Sequence, residues 1–336
     1  MVEFRDVIMD AETLGKRYIV RDGMVFTSIT HPANIYDAIV IKYPPDIPCT
    51  SPNMHGSSCS LEEQLEFIRV HKIEKVLIIA DNIDFIAFCP SLKYFQIIPA
   101  DSADRGFDYS PLYGIPQVKS LQAKVFYGRG EKFTTELDCA KLRGLEKLSV
   151  TNRQYKHFNV VQTLKSLGLS NYKEKDLTAT FSSSILDTLT VLQSGIESLD
   201  GIQTSQRLQC LYLYHNRALR DIGALRDVKS TLRALRIENC PKIDDFSVLS
   251  ELENLELLEL SGNNELPDLE FLRKMKSLKT FVFTVNVKSG DLSPCMNLSY
   301  ACSGRNRRHY DRKDADLPKG QYVRGNETIE EWRRME

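Results

Sequence analysis

The chain has 336 residues, and its 44 Lys and Arg nearly balance its 45 Asp and Glu, which gives a formal net charge of -1. Because positive charge does not predominate, we expect neither a nucleic-acid backbone nor an anionic membrane surface as the partner. The N-terminal segment is charged throughout, and no run of about 18 uncharged apolar residues occurs, so neither a signal peptide nor a membrane span is expected. The eight cysteines are scattered, and without a secretory signal we expect free thiols in a cytoplasmic protein.

An N-terminal cap is predicted over residues 1–72. Residues 17–29 have the pattern of two short strands joined by the turn Arg21-Asp22-Gly23. A hairpin at this position would cover the open edge of a first parallel strand, which we predict at residues 36–43.

A Pro- and Ser-rich loop follows at residues 43–60, and it is long enough to have a function. Ser60 and Glu63 then have the spacing of a capping box. Apolar residues at helical spacing follow, so we predict a helix that ends near His71.

Repeated strand segments are predicted from residue 73 to residue 306. Those of the first half are unevenly spaced and begin at Ile73, Leu92, Val118, Leu145, Leu164 and Leu186. Four better-matched segments begin at Leu208, Leu232, Leu255 and Leu278, with spacings of 24, 23 and 23 residues. A degenerate last segment begins at Leu298, which brings the prediction to about eleven repeat strands.

The spacers between the four matched segments also agree with one another. Apolar residues recur there at steps of three, as a 3₁₀ or short helical turn requires. These residues are Leu219, Ile222, Leu225, Val228, Ile243, Phe246, Leu249, Leu252, Leu266, Leu269, Leu272 and Met275. Self-similarity at a fixed period indicates a solenoid whose neighbouring repeats stack and share a core.

Each matched segment has the pattern of a short strand that ends in a bend. In the segment LELLELSGN, Leu258 and Leu260 alternate with more polar residues, which suits a strand with one buried face. Asn263 is expected to turn inward at the bend and to bond the backbone groups that the bend leaves unpaired. A ladder of such Asn residues would stabilise the successive bends.

The pattern Leu-x-x-Leu-x-Leu-x-x-Asn resembles that of leucine-rich repeat proteins, in the short-repeat style of bacterial internalins and phosphatase-regulator relatives. The resemblance implies an α/β solenoid of horseshoe shape, with one parallel sheet on the concave face and short helical or 3₁₀ segments on the convex face. It also explains Cys240 at an Asn position, since a buried thiol is a usual substitute in this family. One departure concerns the subclass: the next apolar residue follows the Asn or Cys by three residues, where the common pattern has two.

A C-terminal cap is predicted over residues 307–336. The segment QYVRGNETIEEWRRME has the pattern of a strand, a Gly-Asn turn and a helix, with Thr328 and Glu331 as a capping box. Ile329 and Trp332 of this helix are expected to pack on the last repeat.

Candidate chemical groups favour a protein that is not an enzyme and that has no metal or cofactor. Cys49, His55 and Cys59 lie in the 43–60 loop, but their spacing matches no standard zinc site. The spacing around His215 indicates no nucleophile for it to activate. The basic cluster at residues 305–313 is diluted by aspartates, which argues against nucleic acid.

The concave strand face is therefore the candidate site, and a protein partner bound by a monomer is the predicted function. Extended concave surfaces are how solenoids bind partners. An inhibitor or immunity-type protein that blocks an enzyme is an alternative within this class, and an enzyme that uses the 43–60 loop is an alternative outside it. The predicted contact residues are Thr190, Leu192, Tyr212, Tyr214, His215, Arg236, Glu238, Leu257 and Glu259.

Overall fold

The computed structural model describes residues 18–27, 37–45, 56–100, 107–123, 137–151, 155–180 and 185–323. The chain forms two compact units, Met1–Thr163 and Leu164–Glu336. Within the described residues no helix has the length and the apolar character that crossing a bilayer requires. The predicted Thr328, Glu331, Ile329 and Trp332 contacts lie outside the described residues, as do Cys49, His55 and most of the 43–60 loop.

The first unit begins with the predicted hairpin. Strands β1 (Tyr18–Arg21) and β2 (Met24–Thr27) pair antiparallel, and the turn residues Asp22 and Gly23 both have positive φ, as a tight hairpin turn requires. Strand β2 pairs antiparallel with β3 (Ala38–Tyr43), which in turn pairs with the next strand in parallel. The hairpin therefore protects the edge of the parallel sheet, as the sequence predicted.

Helix α1 (Leu61–His71) connects β3 to the repeats. The Ser60 side chain accepts a hydrogen bond from the Glu63 backbone N–H at 3.1 Å, and the Glu63 carboxylate accepts one from the Ser60 N–H at 2.7 Å. This confirms the predicted capping box. Ile68 is fully buried, and Phe67 packs edge-to-face on Phe26 of the hairpin.

The repeat strands of the first unit run parallel and in chain order. They are β4 (Lys75–Ala80), β5 (Tyr94–Pro99), β6 (Ser120–Ala123) and β8 (Lys147–Thr151), with a small side sheet of β7 (Leu137–Asp138) and β9 (Tyr155–Lys156). Alternate residues of β4 and β5, such as Val76 and Ile97, point into the core. Residues of the opposite face are also apolar and buried: Val40, Leu77, Ile79 and Ile98.

The second unit continues the same architecture with seven parallel strands. They are β10 (Ser166–Ser170), β11 (Thr188–Leu192), β12 (Cys210–Tyr214), β13 (Ala234–Glu238), β14 (Leu257–Ser261), β16 (Thr280–Phe283) and β18 (Tyr300–Cys302), with a side sheet of β15 (Glu265–Leu266) and β17 (Asn286–Val287). Together with the first unit, these strands include every repeat strand that the sequence predicts between Ile73 and Asn306. The fold class is thus confirmed as a leucine-rich repeat solenoid. The strand predicted at the start of QYVRGN is wrong, because the described residues 321–323 belong to no strand of the sheet.

Short 3₁₀ helices return the chain between the strands of the second unit, as predicted. Those between the matched repeats are Gly223–Val228, Ser247–Glu251 and Glu270–Lys274. All twelve apolar spacer residues that the repeat pattern selects are buried. Burial of apolar area at this regularity is the main stabilising contribution to a stacked fold.

The bends of the first two matched segments carry the expected inward polar group, and the other two differ from the prediction. Asn216 is fully buried, donates to the Val191 carbonyl at 2.9 Å and accepts from the Ser194 N–H at 2.9 Å. Cys240 occupies the equivalent place in the next repeat.

In the third matched segment, LELLELSGN, the prediction that Asn263 turns inward is wrong. Asn264 is the buried residue there, and it donates to two carbonyls of the preceding bend. In the fourth, the Asn286 side chain donates to Oε1 of Glu265 at 3.0 Å, outside the core.

The shift to Asn264 has a local cause. Gly262 has a φ of +134, which a residue with a side chain rarely adopts, and with this conformation Asn264 turns inward in place of Asn263. The bend is no longer than the others, since Leu266 follows Leu255 by the same number of residues as Leu219 follows Leu208. Asn263 is thereby displaced to the exposed surface. A fixed count of residues from the strand start therefore selects the wrong Asn.

Candidate binding surface

We use the term outer sheet face for the side chains of β12, β13, β14 and β16 that point away from the core of the second unit. The parallel register aligns these side chains in rows, because neighbouring strands lie about 4.8 Å apart. The first row is Cys210, Ala234, Leu257 and Thr280, and the second is Tyr212, Arg236, Glu259 and Val282. A third row consists of Tyr214, Glu238 and Ser261. This face corresponds to the predicted concave surface.

Arg236 is the central side chain of the second row. Its guanidinium carbon lies 5.1 Å from the centre of the Tyr212 ring, within the range of a cation–π contact. Its Nε lies 3.1 Å from Oε2 of Glu259, and because that N–H is not aimed at the oxygen, the contact is an ion pair. Burial lowers the pKa of Arg236, but the Glu259 carboxylate and the two neighbouring tyrosines outweigh it and raise the pKa overall. The arginine is thus a fixed cation with partners on both sides.

The first row forms a small apolar cluster on the outer sheet face. Cys210, Ala234 and Leu257 are buried together with the Tyr212 ring, and Val323 from the C-terminal part of the chain packs against them. Tyr212 is 5% exposed and Leu257 is fully buried. Both were predicted to be exposed contact residues, and this prediction is wrong because both side chains are buried. They lie on the predicted face, but Val323 and the Arg236 side chain cover them.

Tyr322 completes the contact of the C-terminal segment with this face. Its hydroxyl donates a hydrogen bond to Oε1 of Glu259, the carboxylate oxygen that Arg236 does not engage. Its ring packs edge-to-face on Tyr300, with ring centres 5.2 Å apart. Burial, reinforced by the Glu259 carboxylate, raises the pKa of Tyr322 to about 12. The hydroxyl is therefore protonated and available as a donor at neutral pH.

The chain immediately before Tyr322 is fixed to the last strand. Lys319 forms an antiparallel bridge with Tyr300, and its Nζ donates to the Ala301 carbonyl at 2.8 Å. The Gly320 N–H donates to the Ser299 carbonyl at 2.9 Å, and the Val323 N–H donates to Oγ1 of Thr280 at 3.0 Å. These bonds direct residues 320–323 back across the outer sheet face.

The remaining predicted contact residues lie at the end of the outer sheet face and on the adjacent strand β11, and they are accessible. Tyr214, Thr190 and Leu192 are half-buried, and β11 pairs with β12 so that Leu192 lies beside Tyr214. His215 and Glu238 have side chains that are 41% and 43% exposed, with 3.5 Å between Nε2 and Oε1. The structure therefore brings the predicted residues together as one patch, with its exposed part at this end.

Three buried cysteines are in environments that keep their thiols protonated. Burial raises the pKa of Cys139, Cys210 and Cys295 to about 12, so these thiols are not thiolates at neutral pH. The seven described cysteines are free thiols, as predicted. No group of His, Cys, Asp and Glu in the described ranges has the arrangement of a metal site.

A polar pair in the first unit was not anticipated from the sequence. Nδ1 of His157 lies 2.9 Å from Oδ1 of Asp138, and this contact is the main reason that the pKa of Asp138 is lowered. The same carboxylate accepts from the Ala140 N–H at 3.1 Å, which caps a short 3₁₀ helix. Asp138 therefore has a structural role at this helix.

Three further residues of the candidate surface were not predicted from the sequence: Tyr322, Val323 and Thr280. The register could have identified Thr280, which occupies the same row as Leu257. For Tyr322 and Val323, the available signal was the apolar QYV segment in a polar tail. That signal shows that the segment packs, but not where.

Comparisons with known proteins agree with this architecture. No family model and no curated protein matches the chain. Among solved structures, the chain is similar to TLR13 in the TLR13–ssRNA13 complex, with 18% identity, a TM-score of 0.50 and coverage of 73% of this chain and 45% of that one. It is also similar to an internalin (InlF) from Listeria monocytogenes, with 19% identity, a TM-score of 0.49 and coverage of 70% and 68%. Both are leucine-rich repeat proteins, and at this identity the likeness to TLR13 concerns the fold alone.

Proposed function

We propose that this chain, which has the leucine-rich repeat fold, is a non-catalytic scaffold that binds a protein partner through the outer sheet face of its second unit. The observation that carries the proposal is the accessible group of Tyr214, Arg236 and Glu238, held on adjacent strands. Tyr and Arg are the residue types enriched in binding hot spots. Their backbone is fixed in a parallel sheet, so little conformational entropy remains to be lost on binding.

The charges on this face favour a protein over a nucleic acid. Glu259 neutralises Arg236, and Glu238 adds a further carboxylate to the exposed end. A phosphate backbone would meet no unpaired cluster of cations here. The TLR13 structure contains an RNA, but that observation concerns TLR13 alone. We further propose that the chain acts as a monomer in the cytoplasm, which the free thiols of the described residues support.

The test begins with affinity capture from the native cell and identification of the partner by mass spectrometry. The captured partner is then titrated against wild type and the double variant Tyr214→Ala/Glu238→Ala. We expect the double variant to lose at least about tenfold in affinity, the scale of an ordinary hot spot. Circular dichroism should show an unchanged fold, because neither side chain belongs to the core.

Lys274→Ala is the matched control, since Lys274 is exposed on the 3₁₀ helix Glu270–Lys274, away from the strands. It should bind the partner like wild type. If Lys274→Ala weakens binding and the double variant does not, the proposal is wrong, and the 43–60 loop becomes the next surface to test. The identity of the partner also decides whether the chain is an inhibitor of an enzyme.

A further inference from the structure

Residues 320–323 contact the outer sheet face in the manner of a bound extended peptide. Three different contacts are made: the Tyr322 hydroxyl to Glu259, the Val323 N–H to Thr280, and the Val323 side chain to the apolar cluster of the first row. The first contact recognises a hydroxyl group, the second recognises the peptide backbone, and the third recognises an aliphatic side chain. Together they would select a Tyr followed by an aliphatic residue.

The receptor side of these contacts has the composition of a recognition site. Glu259 divides its two carboxylate oxygens between Arg236 and the Tyr322 hydroxyl, so the arginine holds the acceptor in place. Thr280 is fully buried and presents its Oγ1 to the backbone of the segment. A buried polar acceptor that is left without a donor is costly, so a partner that covers the face must supply equivalent donors.

We propose that the outer sheet face is a peptide-binding site for an extended segment with Tyr followed by an aliphatic residue, and that Tyr322 and Val323 of the same chain are its resident occupant. This proposal rests on the proposed function, and it adds the chemistry of the partner. The partner displaces the resident segment and reproduces its contacts. In the unliganded protein the segment protects the apolar first row from water.

The anchoring of the segment is consistent with displacement. Lys319 and Gly320 are bonded to the last strand, while Gln321 is exposed and Tyr322 and Val323 are half-buried. Residues 322 and 323 can therefore leave the face while the chain stays fixed at Lys319. A tethered occupant acts at an effective concentration in the millimolar range, so it weakens a competing segment without preventing its binding.

The test uses a fluorescently labelled peptide that copies residues 318–326, PKGQYVRGN, and the full-length chain. Its affinity is measured by anisotropy for wild type and for the variant Tyr322→Ala/Val323→Ala, in which the resident side chains are removed. We expect the variant to bind the peptide at least about tenfold more tightly than wild type, because the tethered competitor is gone. A peptide with Phe in place of its Tyr should lose about fivefold or more of that affinity, because it lacks the hydroxyl that donates to Glu259.

Two further variants make the result specific. Adding Glu259→Leu, which removes the acceptor, should abolish most of the gain, whereas adding Lys274→Ala should leave it unchanged. If the double variant does not fold, Tyr322→Phe with Val323→Thr, which preserves the side-chain volumes, takes its place in the same titration. A gain of about fivefold is then expected, because the resident side chains lose the hydroxyl bond but keep part of their packing, and it should depend on Glu259 in the same way.

The proposal is overturned if wild type and the Tyr322→Ala/Val323→Ala variant bind the peptide equally, or if Glu259→Leu leaves the gain in affinity unchanged. If this occurs while Tyr214→Ala/Glu238→Ala still loses the captured partner, the outer sheet face binds protein and residues 322–323 are only a structural cover. If both experiments fail, the binding surface lies elsewhere. The two proposals are therefore separable.

Discussion

The outer faces of the two units are built from the same kind of strand and differ in composition. In the first unit, Leu77 and Ile79 of β4 pack with Val40 and Ile98 in a buried apolar layer, so the strands are buried on both faces. In the second unit, the equivalent face carries Arg236, Glu259 and Glu238 with partial exposure. Strands buried on both faces are continuous apolar runs, whereas strands with one free face alternate. The first unit therefore buries this face in apolar contacts, whereas the second keeps charged and partly exposed side chains on it.

The largest expected effect on stability is at Leu77, in the buried apolar layer of the first unit. Leu77→Ala removes a buried side chain from the apolar layer of the first unit and should lower the free energy of unfolding by about 3 kcal/mol. Glu238→Ala, on the corresponding face of the second unit, should change it by less than about 0.5 kcal/mol. Urea denaturation followed by circular dichroism measures both. Similar losses for the two variants would mean that both faces serve stability.

The second prediction concerns the ladder at the bends of the second unit. Asn264→Ala removes two buried hydrogen bonds to the carbonyls of Cys240 and Ile243 and should cost about 2 kcal/mol of unfolding free energy. Its neighbour is the matched control, since Asn263 is exposed and Asn263→Ala should cost less than about 0.5 kcal/mol. Thermal or urea unfolding of both variants provides the comparison. A larger loss for Asn263→Ala would restore the original prediction from the repeat pattern.

A third prediction tests the contact that closes the outer face of the second unit. A double-mutant cycle with Tyr322→Phe and Glu259→Leu should give a coupling energy of about 1 kcal/mol in unfolding free energy, typical of one partly buried hydrogen bond. Tyr322→Phe removes the donor of the bond and Glu259→Leu removes its acceptor, each with a side chain of similar size. Additive effects of the two changes would show that the tyrosine hydroxyl adds nothing to the folded state.

The smallest expected effect is a dependence on alkaline pH. The pKa of Tyr322 is raised from its ordinary value of 10.0 to about 12, chiefly by burial. The folded state then holds this proton more tightly than the unfolded state, so the contribution of Tyr322 is complete below pH 10 and is lost as the pH rises towards 12. The difference in unfolding free energy between wild type and Tyr322→Phe should therefore shrink over this window. A difference that stays constant across it contradicts the assignment.

Most of the fold could be predicted because the repeats impose a period on the sequence. The twelve spacer residues from Leu219 to Met275 are buried, and the hairpin and the capped helix were identified from short-range turn and capping chemistry. The apolar run of Leu77 and Ile79 also contained the information that both faces of β4 are buried. These features depend on residues that are close in sequence, or on a repeated spacing.

The errors at the candidate surface have a different origin. The strand register correctly placed Tyr212 and Leu257 on the outer face, but their exposure depends on Val323, which is over sixty residues further along the chain than Leu257. No local pattern encodes such a contact. Likewise, the inward Asn of the third repeat depends on the backbone conformation of Gly262, which a count of positions does not contain.

The bend at Gly262 bears on which changes of sequence such a corner can accept. Its inward residue, Asn264, comes one position later than in the preceding repeats, although the bend has the same number of residues. The Gly262 N–H donates to Oγ1 of Thr284 at 3.1 Å, and Leu258 of the preceding strand still pairs with Phe281. The polar group that fills a corner can therefore move by one residue while the order of side chains across the strands stays the same.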